Sequence, residues 1–488
     1  MSQPTALHDF GAMSFGSRAQ FEPAQVETVC EEVRGSGVRD LYVVVHGAHN
    51  DKEVSAAADG AFRHMLADAW GGGAHEVGFL GVHWPSLCFR DEGAPGLARP
   101  EGDDDGVSKA TADDLYRQLP SSEGPLIELI TLLNERPERG PAFDDFGSAL
   151  RRLAEVPLQD PVAEFTSDTE GEVLPQADPL MLFEDTRTVC SEFAGALRDL
   201  SRALALEAGE PAHHESAATA SEVSDEGTLL ESRVAGPRPA RPLSDRVNRA
   251  GTVAAGGPVG ETARAADFAE LWKGARELFR QVVRHVLRRR AGLIGQAGLG
   301  PCLPMLVRGA DVRLHLVGHG LGARLAGFAL RGLEESGADP VALSSLTFLQ
   351  GEMSHFSFAD SLPQQVSGHG ALFSRRRLVQ GPLLCTFSHL DSHLGVLYPL
   401  SAQMIGDSSE LATTARKWGA LGFDGIQGVD GPAPVDVREA PERDGRQAPY
   451  LNVDVSEVIR CDEVPMGGHH RVFHPEIGRL LRCAAEWA

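Results

Sequence analysis

The chain is short of lysine, of paired cysteines and of long apolar runs, and it lacks a serine at one decisive position. Only four of its 488 residues are lysine (Lys52, Lys109, Lys273 and Lys417), so arginine carries nearly all the positive charge. Basic residues are outnumbered as well: Lys+Arg 45 against Asp+Glu 69 gives a formal net charge of −24 at pH 7. A protein that binds nucleic acid through the phosphate backbone needs the opposite sign, because its affinity comes from neutralising phosphates. Nucleic acid is therefore not expected as a partner, and anionic membrane surfaces are disfavoured for the same reason. The seven cysteines (Cys30, Cys88, Cys190, Cys302, Cys385, Cys461 and Cys483) are scattered, odd in number and free of C-x-x-C spacing. That pattern predicts reduced, buried thiols in a cytoplasmic protein. No stretch approaches about 18 consecutive uncharged apolar residues, so no membrane span is expected. MSQPTALHDFGAMSFGSRAQ has no basic start followed by an apolar run, so no secretory signal is expected.

What is present is a large apolar fraction, 42%, enough for a sizeable core. Nearly continuous apolar strands are predicted at DLYVVVHG (40–47), VGFLGVHWPS (77–86), VRLHLVG (312–318), LSSLTFLQG (343–351), GPLLCTFSH (381–389) and YLNVDVS (450–456). Helical spacing is predicted over 267–290, where Phe268, Leu271, Ala275, Leu278, Val282 and Val286 share a face, and again over 321–334 and 474–487. Apolar strands alternating with helices predict an α/β fold with a mostly parallel sheet covered on both faces. The pattern breaks over 91–264. Residues 91–110 are acidic and rich in Gly and Pro, and 208–264 contain no Phe, Trp or Tyr. Such composition buries too little apolar surface to offset ordering entropy, so 208–264 reads as a flexible linker. Helical patterns lie between them, in DDLYRQLP, PLIELITLLNERP and 183–207. The chain thus divides into 1–90, an insertion or cap at 91–264, and 265–488.

The segment LHLVGHGLGARLAG (315–328) predicts a strand, a sharp turn and a helix, with the turn Gly318-His319-Gly320-Leu321-Gly322. This is the G-x-S-x-G pattern of a nucleophile elbow with glycine where serine would stand. A phosphate-binding loop is the competing reading, but no Lys-Ser/Thr pair follows and the strand comes late in the chain. An elbow strains its central residue and brings its flanking residues against the neighbouring strand and helix. Gly318 and Gly322 meet the second need. Gly320 relieves the first, by about 1–3 kcal/mol, while removing the side-chain oxygen. Oxyanion donors are expected from the Leu321 N–H and from the turn after an early strand, where Gly47 and Ala48 follow His46. Asp391 lies just past GPLLCTFSH, where a triad acid belongs, and the loop MGGHHRVFHPEI offers His469, His470 and His474 as bases. No carboxylate or cysteine stands near those histidines at helical ligand spacing, so neither a metal nor another cofactor is expected. Ser354 and Ser388 read as structural hydroxyls.

These motifs, together with Trp84-Pro85-Ser86, RRRAGLIGQAGLGP, SSLTFLQGEMSHFSFA and GPLLCTFSHLDSHLGVLYPLSA, make the chain resemble a group of bacterial α/β-hydrolases. The likeness covers most of the chain outside 91–264. It implies the α/β-hydrolase fold, with esterase-, lipase- or amidase-like chemistry by a Ser–Asp–His mechanism. Asp391 would be the acid and His469 the base, with His470 and His474 as alternatives. Gly320 stands where that family carries its serine. Three functions remain open on this reading: a hydrolase silenced at its nucleophile; a natural pseudoenzyme that binds an acyl ligand, or a protein partner through 91–264; and an enzyme that uses another residue or a water. The small-molecule partner expected is an acyl ester or amide.

Overall fold

The computed structural model describes residues 7–48, 52–90, 106–157, 159–165, 167–170, 185–207, 261–337, 343–363, 368–402, 419–460 and 469–488. Most of 91–110 and of the linker at 208–264 lies outside these. Eight strands form one sheet: β1 (His8–Ser14), β2 (Asp40–Val45), β3 (Val77–His83), β4 (Arg313–His319), β5 (Ser345–Leu349), β6 (Leu383–Phe387), β7 (Val435–Asp436) and β8 (Tyr450–Asp454). Their order across the sheet is β1-β3-β2-β4-β5-β6-β8-β7, and every pairing is parallel. The chain therefore has an α/β fold. The six strands expected from sequence all form, because β2, β4, β5 and β6 are buried along almost their whole length, as apolar runs in a sheet covered on both faces must be.

Two strands are not legible from pattern. β1 carries Gly11 at φ +70° and a register shift between Asp9 and Ala12, which breaks its alternation. β7 is only two residues long. Helix α1 (Pro23–Ser36), also not foreseen, starts with proline in its first turn and ends at Gly37 in the left-handed conformation.

Helices α2 (Lys52–Trp70), α3 (Lys109–Gln118), α4 (Glu123–Glu135), α5 (Pro141–Ala154), α6 (Thr186–Glu207), α7 (Glu261–Leu293), α8 (Gly300–Val307), α9 (Leu321–Glu335) and α10 (Pro475–Glu486) follow in chain order. α7 corrects one expectation. It is not one-sided: Glu277, Gln281, Arg284, His285, Arg288, Arg289 and Arg290 are buried along with its apolar residues. The cause is its position. α5, α6 and α9 all pack on it, with Phe143 of α5 stacked on Trp272 at 4.5 Å. Its polar side chains are therefore turned inward, where they need partners. Arg289 donates to the Ala154 carbonyl at 2.8 Å, and Arg290 donates to the carbonyls of Pro85 and Gln118 at 2.8 and 3.0 Å. Leu115, Leu126, Phe143, Phe146 and Phe193 of the inserted helices thereby join the same apolar cluster as the sheet.

The strand order reverses direction between β2 and β4: the chain runs outward from β2 to β3, and from β4 to β5. In open parallel sheets such a switch point leaves a crevice at the carboxyl ends of the two strands. Val45 pairs with Gly318 there, and His319 with Leu349. Among the described residues no helix is long and apolar enough to cross a membrane.

Candidate functional site

Gly320 sits in that crevice, between the end of β4 and the first residue of α9, at φ +54° and ψ −122°. This conformation lies outside the left-handed helical basin and is sparsely populated by any residue with a Cβ. Three backbone bonds hold it. The Gly320 N–H donates to the Leu349 carbonyl at 3.1 Å, and the Gly320 carbonyl accepts from Glu352 at 2.9 Å and from Ala323 at 3.1 Å. The flanking glycines answer a different demand. A Cβ on Gly322 would lie 2.3 Å from the carbonyl oxygens of Val45 and His46, and one on Gly318 would lie 2.6 Å from the Gly322 carbonyl oxygen. The turn packs directly onto the end of β2.

The structure brings Asp391 and His469 together beneath this turn. Asp391 follows β6, and His469 stands in the segment before α10. His469 Nδ1 lies 2.9 Å from Asp391 Oδ2, with both side chains buried. A carboxylate can only accept, so Nδ1 carries the proton and the lone pair of the neutral ring is on Nε2. That nitrogen faces Gly320: a Cβ built there would lie 3.0 Å away. The imidazole thus already occupies part of the room a side chain would need. Burial alone would raise the Asp391 carboxyl. The pairing with His469 and the hydrogen bond from it, the nearby His393 and the Leu394 N–H outweigh burial and hold the carboxyl below its ordinary value.

The other expected residues fall around this pair. Gly47 and Ala48 lie in the turn that follows β2, and the Gly47 Cα is 3.7 Å from the Cβ position at Gly320. The Leu321 N–H belongs to the first turn of α9, where N–H groups have no intrahelical acceptor. His319 is buried; its Nε2–H donates to the His469 carbonyl at 3.1 Å. Burial, with the nearby His469, pushes the His319 imidazole down to about 4, so it is neutral at neutral pH. His470 is buried with Nε2 3.7 Å from Cys88 Sγ. His474 instead caps α10, half-buried, and its carbonyl accepts from Gly478. Ser388 donates to the Ile459 carbonyl at 2.8 Å, and the Ser354 hydroxyl accepts from the Phe356 N–H at 3.2 Å.

Sequence reasoning missed a buried ionic cluster behind His469. Glu352 accepts from Arg284 at 2.9 Å and lies 3.5 Å from Arg288 and from His393. Burial opposes the charge of Glu352, but Arg284, His393 and Arg288 overcome it and hold the carboxyl well below the usual range. The His393 ring in turn meets the His469 ring edge-on at 5.2 Å. The available signal was a glutamate immediately after an apolar strand, in LQGEMSHF. Trp84 also gains a role: its indole N–H donates to the His46 carbonyl at 3.1 Å and fixes the strand end beside the turn. A cavity of about 460 Å³, lined in part by Pro432, Arg443, Pro449 and Leu451, opens where β8 begins, at the opposite end of the sheet from Gly320.

Comparison of the chain with family models, curated proteins and solved structures returns no match.

Proposed function

We propose that the chain adopts the α/β-hydrolase fold and is an acyl-hydrolase scaffold, of esterase, lipase or amidase type, silenced by glycine at the nucleophile position. One observation carries the reading: a buried imidazole, oriented by Asp391, aims Nε2 at the Cβ position of Gly320 from 3.0 Å. A hydroxymethyl group there would meet a ready base. Gly47, Ala48 and Leu321 would supply the oxyanion donors, a role supported by the Gly47 Cα at 3.7 Å from the Gly320 Cβ position and by Leu321 at the start of α9. Without the hydroxyl, covalent catalysis stops. In a serine protease the same loss costs about 10⁶ in kcat, roughly 8 kcal/mol of transition-state stabilisation. What survives is binding and a slow general-base route through water.

A second reading has its own support. The imidazole stands closer to the Cβ position than ordinary contact allows, as expected of a site settled around glycine. On that reading the chain is a pseudoenzyme that retains the pocket for an acyl ligand, or for a protein partner through the 91–264 insertion. The two separate in the Gly320→Ser variant treated with a fluorophosphonate probe. Labelling of the variant and not of the parent supports the silenced hydrolase. A folded variant that resists the probe removes it and leaves the binding module.

A further inference from the structure

The fold assembles a set of ligands that no local spacing contains. His319, His469 and His470 are all buried, and one imidazole nitrogen from each lies within 4.8 Å of the others. Tetrahedral zinc with nitrogen ligands at 2.0–2.1 Å needs nitrogen–nitrogen separations of about 3.4 Å, so small ring rotations close the set. The second nitrogen of two members is already held, as in metal sites where an outer partner fixes the ligating ring. Asp391 accepts from His469 Nδ1, and the His469 carbonyl accepts from His319 Nε2. That leaves His469 Nε2 facing Gly320, and His319 Nδ1 3.3 Å from the Cβ position of Gly47, which itself borders Gly320. Glycine at 320 places no side chain in front of His469 Nε2. The donors are imidazoles without a carboxylate, which suits zinc, cobalt, nickel or copper and not magnesium or calcium.

We propose that His319, His469 and His470 form a three-histidine site for a divalent transition-metal ion, of the zinc class, seated in front of Gly320. Three protein ligands leave a fourth position open. A consequence rests on the acyl-hydrolase reading, although binding itself does not: an ion on His469 Nε2 takes the lone pair that a serine at 320 would need.

The test uses the full chain, stripped with a chelator and titrated with cobalt(II). The expected result is one ion per chain, visible bands of a tetrahedral complex, and displacement by zinc. His470→Gln should weaken binding at least tenfold, and Asp391→Asn by about 10–100-fold, while His64→Gln, at an exposed position, leaves it unchanged. Absence of saturable 1:1 binding overturns the proposal, as does unchanged affinity in a folded His470→Gln variant. If that variant does not fold, the parent decides: zinc must raise its melting temperature, and no shift overturns the site. In the Gly320→Ser variant, zinc should block probe labelling. Cobalt binding beside an unlabelled Gly320→Ser leaves the metal site standing and removes only the base reading.

Discussion

Replacing Gly320 by alanine isolates what glycine does at the turn. The added Cβ meets two penalties. The first is conformational: φ +54° with ψ −122° costs a residue with a Cβ about 1–3 kcal/mol. The second is a contact: the Cβ lies 3.0 Å from His469 Nε2, so the ring must retreat by a few tenths of an ångström against its bond to Asp391. Crowding of this kind adds about 1 kcal/mol. The expected loss is about 2–4 kcal/mol, read as a lower urea midpoint at unchanged m. Gly37→Ala is the internal reference. Gly37 sits at φ +72° and ψ 12° with open space around its Cβ position, so it isolates a left-handed penalty of about 1–2 kcal/mol. Serine at 320 carries the same Cβ but donates a hydroxyl to Nε2, which should restore about 0.5–1.5 kcal/mol relative to alanine. If Gly320→Ala matches or exceeds the parent, the turn does not hold this conformation in solution. In that case the freed unfolded-state entropy would show as a gain of about 0.4–1 kcal/mol, and the reading of the site fails with it.

Other consequences follow from the same geometry. Adding Asp391→Asn to the Gly320→Ser variant should slow probe labelling by about 10³–10⁴-fold, because an amide neither fixes the Nδ1–H tautomer nor stabilises imidazolium; an unchanged rate would show that Asp391 does not act through His469. Stability should fall as pH drops from about 6.5 to about 4. Burial, aided by His469, keeps the His319 imidazole down near 4, while the unfolded chain takes up its proton near 6.5. The stabilisation is present above 6.5 and amounts to about 3 kcal/mol at most. His319→Gln should make that limb shallower in urea titrations without removing it, since buried His285, His315 and His393 are also held below their ordinary value. Asp391 acts lower: its depressed carboxyl contributes above about 4 and is lost only as pH falls further. Glu352→Gln should cost about 3–5 kcal/mol in urea unfolding, because it removes the carboxylate facing two buried arginines. Arg198→Ala, at the exposed pair with Glu270, should change stability by less than about 1 kcal/mol.

The strands were legible because burial on both faces forces near-continuous apolar runs, helix α10 because one face stays polar, and helix α9 because its apolar residues follow a recognisable turn, although it is buried almost throughout. Elements whose cause is not periodicity were invisible: β1 bends at Gly11, and β7 is a two-residue pairing that only the finished sheet edge creates. The same division holds at the site. A turn between a strand and a helix is local, so Gly318, Gly320 and Gly322 were readable. Choosing among His469, His470 and His474 was not, because the choice depends on a loop meeting Asp391 across 78 positions of sequence. The burial of the α7 arginines was not legible for a related reason. Helical spacing reports a stripe, and it cannot show that several further helices, α5, α6 and α9, pack around the same one.

The glycines and the acid–base pair do not carry equal weight for function. Packing alone accounts for Gly318 and Gly322, since a Cβ at either would strike backbone, whatever the turn is for. Gly320 is likewise explained by its φ. No comparable packing argument explains Asp391–His469. Two titratable groups are buried there with a charged cluster behind them, and replacing such groups by apolar side chains of similar volume is often neutral or stabilising. The fold bears that desolvation at the carboxyl end of the sheet, in the crevice where the strand order reverses. An arrangement that stability does not demand, placed where ligands bind in sheets of this topology, is the part of the molecule that asks for a chemical explanation. A base for a missing hydroxyl and a ligand for an ion are two explanations that fit its geometry, and the Gly320→Ser and cobalt experiments test each on its own.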